Sequence, residues 1–169
     1  MTLQQAAGTG KSVRVLVVDD YQPWQVFVST TLRNVPELEI VGKVSDGLEA
    51  VQQAQHLQPD LILLDIGLPT MNGIEAARGI REVSPASKIL FVSENRSSDI
   101  AEEALNTGAS GYVVKSDAAS ELLPAVTAVL EGKRFISASL AGHFLVTTTL
   151  STALTTQLSW MLTLISGIR

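Results

Sequence analysis

The sequence predicts an α/β protein: a doubly wound, five-stranded parallel sheet with helices on both faces, followed by a helical carboxy-terminal extension. Three observations carry this expectation. From Val13 to about residue 134, short apolar runs alternate with amphipathic stretches, the βα rhythm of a parallel sheet covered on both sides. The runs are continuous: Leu61-Ile62-Leu63-Leu64 has no polar position, as a strand buried on both faces requires. A chain of 169 residues, 46% of them hydrophobic, can bury one sizeable core with some length to spare.

Residues 1–12 are small and polar and form a flexible amino-terminal segment. Strands are expected near 13–18, 39–44, 60–65, 88–93 and 110–114, and helices near 22–34, 47–57, 73–83, 98–107 and 119–132. The first helix is capped by Asp20, tolerates Pro23 in its first turn, and turns Trp24, Phe27, Val28, Thr31 and Leu32 inward. Asp46-Gly47 opens the second, and Pro59 prevents its continuation. Gly108 stands where the fourth helix needs a carboxy-terminal cap. Pro124 falls in the first turn or so of the fifth, where its missing N–H costs little.

Past Arg134 the character changes. Residues 135–169 are apolar and rich in Ser and Thr, and His143 is the only ionisable side chain between Arg134 and Arg169. Leu150, Leu154, Leu158, Met161, Ile165 and Ile168 recur at spacings of three or four, a helical stripe. Threonine is a mediocre helix former, so the stripe needs a partner surface.

Composition narrows the function. Without cysteine there is no disulfide or thiol chemistry. A net charge of −5 and a pI near 5.0 argue against a phosphate-backbone binder. No apolar core of a signal peptide occurs in residues 1–12, which makes the cytoplasm the expected location.

Four apolar runs end on reactive polar groups. Val13–Val18 leads to Asp19-Asp20, Leu61–Leu64 to Asp65, Ile89–Val92 to Ser93, and Gly111–Val114 to Lys115. In open α/β sheets ligands bind beyond the carboxyl ends of the strands, where strand order reverses. Asp19, Asp20 and Asp65 together would repel one another without a cation, and Mg²⁺ suits such oxygen ligands. With the carboxylates screened, Asp65 is a candidate nucleophile towards phosphorus, and Lys115 and Ser93 candidate stabilisers of the phosphoryl oxygens. Taken singly, each residue has a plainer role: Asp19-Asp20 as a helix cap, Asp65 and Ser93 as turn formers, Lys115 as a solvated lysine, Tyr112 as a half-buried strand aromatic. All of them at strand ends in this order make a coincidence improbable.

Val17-Val18-Asp19-Asp20, Leu63-Leu64-Asp65-Ile66-Gly67-Leu68-Pro69-Thr70-Met71-Asn72-Gly73, Val92-Ser93 and Gly111-Tyr112-Val113-Val114-Lys115 resemble the marks of a response-regulator receiver domain of two-component signalling. The resemblance covers residues 13–134. Leu130-Glu131-Gly132-Lys133-Arg134-Phe135-Ile136-Ser137 is similar to the end of receivers in the NarL/FixJ subfamily. The resemblance implies the flavodoxin-like strand order 2-1-3-4-5. It implies that Asp65 is the phosphoacceptor, charged from a histidine kinase or phosphotransfer protein. Asp20, Asp65 and the Gly67 carbonyl would ligate Mg²⁺, with Asp19 acting mainly through water, and Ser93 and Tyr112 would form the switch pair. Two positions depart from the pattern: Glu94 stands where a small residue is usual, and Ser116 where proline usually follows the lysine through a cis bond. A cis non-proline bond costs about 2.5–4 kcal/mol, so the fold imposes it here or the bond is trans.

Members of the subfamily usually continue into a DNA-binding helix-turn-helix domain. The span from Phe135 to Ile168 offers Gln157 but no Lys or Arg to reach bases and phosphates, so direct nucleic-acid binding is not expected of this chain. The tail is expected to pack as a helix on the receiver or on a second copy, giving a homodimer. A membrane segment over 144–168 has the length but carries too many Ser, Thr and Gln residues, and the apolar stripe argues against a disordered remnant. The output is then protein–protein contact, or the chain is the regulatory part of a transcription factor whose output domain is missing. A metabolic phosphatase fits less well, because Gly67 stands where its second aspartate belongs. Gly8-Thr9-Gly10-Lys11-Ser12 imitates a P-loop but precedes a strand instead of following one, and His56 and His143 lack ligand-spaced partners.

Overall fold

Six parallel strands form the sheet of the computed structural model, which describes residues 11–145; the expected stripe from Leu150 onward lies outside the described residues. The strands are β1 (Val13–Val18), β2 (Leu38–Val44), β3 (Leu61–Leu64), β4 (Lys88–Ser93), β5 (Gly111–Val114) and β6 (Phe135–Ile136). Between them run α1 (Gln22–Arg33), α2 (Gly47–Leu57), α3 (Gly73–Val83), α4 (Ser98–Asn106) and α5 (Ala118–Leu130), the last entered through a 3₁₀ turn at Lys115–Asp117. The order is β2-β1-β3-β4-β5-β6, all parallel. The expected five strands and their order are present, and residues 135–136 add a sixth. The chain divides into two compact units, up to Ser137 and from Ala138 onward, and in the second the described residues 138–145 are helical.

Alternation along the strands sorts the core into two layers. Val15, Val17, Leu61, Leu63, Leu90, Val92 and Val113 pack with Val28 and Leu32 of α1 and Leu122, Val126 and Val129 of α5. On the other face Leu16, Ile62, Ile89 and Phe91 are buried, as are Ala50, Ala54, Ala77, Ile80, Ala101 and Ala104 of α2, α3 and α4. The alanines let these helices lie close to the sheet.

Most of the expected punctuation is in place. Asp46 caps α2 by accepting from Leu48 and Glu49 N–H, and Gly108 (φ +89°) follows α4 in the left-handed region. Two expectations do not hold. Asp20 does not cap α1: Tyr21 is the cap residue and makes no side-chain cap bond, because the Asp19 carboxylate takes the Tyr21 N–H at 2.9 Å and Asp20 faces the acidic cluster. Pro124 lies inside α5, as its seventh residue, past the first turn in which a missing N–H costs little. The bond it would give the Ser120 carbonyl is absent. The Lys115–Ser116 peptide bond is trans, like all those of the described residues.

Candidate functional site

The chain leaves β1 for β2 on one side and returns in β3 on the other, so the carboxyl ends of β1 and β3 open at the point where strand order reverses. Val18 and Leu64 are register partners, which brings the next residues, Asp19 and Asp65, out side by side. Backbone bonds hold both for one more step of the sheet: Asp65 N–H to Val18 O and Asp19 N–H to Val44 O, each 3.0 Å. Ser93 and Val114 are also partners, so β4 and β5 deliver the Ser93 hydroxyl and, one residue on, Lys115 to the same edge.

The side chains meet. Lys115 Nζ lies 2.6 Å from Asp19 Oδ2 and 3.0 Å from Asp65 Oδ2. All three are buried, with exposures of 1% for Asp19, 7% for Asp65 and 8% for Lys115. The remaining oxygens accept backbone donors, Asp19 Oδ1 from Tyr21 N–H at 2.9 Å and Asp65 Oδ1 from Ile66 N–H at 2.7 Å. Asp20 is exposed, and its carboxylate lies within 4.8 Å of those of Asp19 and Asp65. Three carboxylates against one ammonium leave excess negative charge, and an all-oxygen donor set of this kind fits a hard divalent cation such as Mg²⁺.

The ionisation balance reflects burial against pairing. Burial pushes the Asp19 carboxyl above its ordinary value, and the nearby Asp65 charge adds to this, while Lys115 and the Tyr21 N–H oppose it. Burial alone would lower the Lys115 ammonium, but its bonds and attraction to Asp19 and Asp65 outweigh it, so that its pKa is raised. Lys115 is therefore a firmly protonated cation.

A cleft of about 480 Å³ opens over the cluster, lined by Asp20, Asp65, Gly67, Ser93, Glu94 and Lys115 among others. It is large enough for a phosphoryl group on Asp65 with a bound cation. Ser93 and Tyr112 both hold Asn95, the hydroxyl of Ser93 accepting its N–H at 3.3 Å and the Tyr112 O–H donating to its carbonyl at 2.8 Å. The Tyr112 ring is fully buried beside Phe91. Burial raises the Tyr112 hydroxyl pKa, so the group stays a donor. The structure thus brings Asp19, Asp20, Asp65, Ser93 and Lys115 together, with Gly67 on the cleft wall and Tyr112 reaching it through the loop after β4. His56 and His143 are exposed and stand outside the acidic cluster.

Three contributors escape a reading by strand ends. Lys115 Nζ also lies over the Trp24 ring, 5.1 Å from its centroid. Arg96 donates to the Ser116 hydroxyl at 2.6 Å, joining the loops on two sides of the cleft. Gly73, the first residue of α3, lies against the Asp65 backbone. The tryptophan signalled only an inward helical face in the sequence, and the glycine only a turn.

Asn72 fixes where α3 starts, its Oδ1 accepting from Ile74 N–H at 2.9 Å and Glu75 N–H at 3.0 Å. Asn72→Ala is expected to lower stability by about 1 kcal/mol, measured by urea unfolding. Asn72→Asp, which keeps the acceptor, should recover most of it.

Comparison with known proteins gives a consistent picture. Residues 15–127 match the family described as response regulator receiver domain. The chain is 36% identical over 124 residues to the transcriptional regulatory protein DegU of Brevibacillus brevis, covering 73% of this chain and 52% of that protein. It is 32% identical over 126 residues to the nitrate/nitrite response regulator protein NarL of Escherichia coli, covering 75% and 58%. The chain thus spans little more than half the length of these relatives. Among solved structures, a LuxR-family two-component response regulator from Aurantimonas superposes with a TM-score of 0.74 at 33% identity, over 78% of this chain and 94% of that one. The response regulator domain of Thermotoga maritima CheB gives 0.66 at 32% identity, over 72% and 98%.

Proposed function

As the chain belongs to the response regulator receiver family, we propose that Asp65 accepts a phosphoryl group from the phosphohistidine of a histidine kinase or phosphotransfer protein and that this changes the surface around Ser93 and Tyr112. The observation that carries the proposal is the Lys115 ammonium within 3.0 Å of two buried carboxylates at the reversal point of the sheet, beneath an open cleft. An Asp65 oxygen forms the new bond to phosphorus as the P–N bond to the imidazole breaks. Lys115 and the Ser93 hydroxyl receive the phosphoryl oxygens, supplying charge stabilisation where charge accumulates. Asp20, Asp65 and the Gly67 carbonyl would hold Mg²⁺, with Asp19 acting through water; the ion screens carboxylate from phosphate. The reaction is stoichiometric, and loss of the group by attack of water would make the chain its own slow phosphatase.

The Asn95 loop is the natural switch. Ser93 and Tyr112 both hold it, so drawing the Ser93 hydroxyl towards a phosphoryl oxygen releases one restraint on Asn95 and frees Tyr112 to move. Glu94 lines the same cleft and repels an anionic donor, which slows charging. The output is altered protein–protein contact, including contact with a second copy, in the cytoplasm. Among the described residues no helix is long and apolar enough to cross a membrane.

The test is incubation with a small acyl phosphate and Mg²⁺ followed by intact mass. One phosphoryl adduct is expected, formed only when Mg²⁺ is present and absent in Asp65→Asn. An adduct that persists in that variant overturns the assignment. A second reading, the regulatory part of a DNA-binding transcription factor, is favoured by the similarity to the transcriptional regulatory protein DegU, of which the chain covers only 52%. Salt-sensitive retention of the chain on DNA would support it, and no retention at low salt would exclude direct binding by this chain.

A further inference from the structure

Trp24 takes no part in the chemistry described so far, yet it contacts the cation that does. It occupies the first turn of α1, behind Pro23, whose ring fixes the backbone at the start of the helix. The Trp24 backbone N–H bonds to the Tyr21 carbonyl at 3.0 Å. Its indole lies against Phe27 with centroids 4.8 Å apart and packs on the core shared by α1, α5 and the sheet. The ring is thus a fixed wall. Lys115 Nζ lies over its face, 5.1 Å from the centroid, while two carboxylates hold the same atom at 2.6 and 3.0 Å.

A lysine reaches its target on four rotatable bonds, and its ammonium is a compact, strongly hydrated charge. Left to the carboxylates alone, it would swing with them. An indole face attracts the cation without competing for its N–H donors and keeps water from that side. Building on the phosphoacceptor role of Asp65, we propose that Trp24 is a positioning residue for phosphoryl transfer, its indole holding the Lys115 ammonium at the place where a phosphoryl oxygen arrives. Lys115 then exchanges its bond to Asp65 Oδ2 for one to the phosphoryl group while the ring contact persists.

The test compares the wild-type chain with Trp24→Phe and Trp24→Leu. At saturating Mg²⁺ and small acyl phosphate, Trp24→Leu is expected to take up the adduct roughly three- to tenfold more slowly, with Trp24→Phe in between. Mg²⁺ affinity should be nearly unchanged, because the carboxylates are intact. A purely structural role predicts instead that rate follows the unfolding midpoint of each variant. Two further signals report the contact itself. The Lys115 side-chain methylene protons should show an upfield ring-current shift that disappears in Trp24→Leu. In a Trp160→Phe background, where Trp24 is the only tryptophan, its fluorescence should change on phosphorylation.

Equal adduct rates in all three proteins, or a Lys115 spectrum indifferent to Trp24→Leu, would overturn the proposal while leaving the role of Asp65 intact. No adduct on the wild-type chain would overturn the phosphoacceptor role, and the transfer role of Trp24 with it.

Discussion

Lys115→Met is expected to lower the stability of the chain by about 3 kcal/mol at pH 7 in magnesium-free buffer, the usual cost of removing one member of a buried ion pair. The mutation leaves Asp19 and Asp65 buried at the end of adjacent strands with no cation between them. The loss should shrink as pH falls. Asp19 already sits above its ordinary 3.8, first through burial and then through Asp65. A carboxyl raised in the folded state binds its proton more readily there than in the unfolded chain, so acidification from pH 7 towards that value favours the fold. Without the ammonium the carboxyl rises further, and the mutant gains more than the wild type over the same range. Lys115 itself does not offset this. Its raised pKa means that it stays protonated throughout this range and loses its charge only in alkali, as pH passes its folded value. Urea denaturation at pH 7 and pH 5 measures the difference, and added Mg²⁺ should restore part of it at pH 7. Equal stability of the two proteins at pH 7 would mean that the pair contributes nothing.

Gly73→Ala should be more damaging to activity than to the fold. Judged by helix propensity, alanine at this position would help α3 by up to about 1 kcal/mol. The structure reverses the sign. A Cβ on Gly73 would stand 1.9 Å from the Asp65 carbonyl oxygen and 2.8 Å from Ile66 Cα, so backbone has to give way. The Gly73 N–H also bonds to the Ile66 carbonyl at 2.9 Å, which ties the two segments at the point of the clash. We expect a loss of about 3 kcal/mol, at the upper end of overpacking costs. Because the shift falls on Asp65, phosphorylation should slow by about 100-fold, the usual penalty of a displacement near 1 Å. Gly47→Ala is the matched control. Its Cβ would meet the Met71 carbonyl at the same 1.9 Å, but farther along the loop from Asp65. It should lose comparable stability and distinctly less activity. If both variants lose activity equally, loop integrity and not the placement of Asp65 is the sensitive quantity.

Much of this protein is legible along the chain. Continuous runs such as Leu61–Leu64 and Ile89–Val92 declare buried parallel strands, because only a sheet covered on both faces needs no polar alternation. In a parallel sheet every strand ends at the same edge, so the polar residue after each run is delivered to one place. That geometric rule groups Asp19, Asp65, Ser93 and Lys115 from the sequence alone. The same periodicity does not fix a helix's first turn, so it does not say how far inside α5 Pro124 falls. Nor does it say which of two adjacent aspartates turns inward, and Asp19 rather than Asp20 took the Tyr21 N–H.

Asp65 shows the division. By itself the sequence determined that a carboxylate stands at the mouth of a buried strand with two more nearby, since this depends only on local pattern and on the common polarity of the strands. The tertiary structure alone decided what surrounds it: Lys115 shared with Asp19, the Trp24 ring over that ammonium, and Gly73 against its backbone. Those contacts join segments distant in the chain, and they turn on side-chain direction and close backbone approach within a packed interior, which no residue pattern encodes one segment at a time.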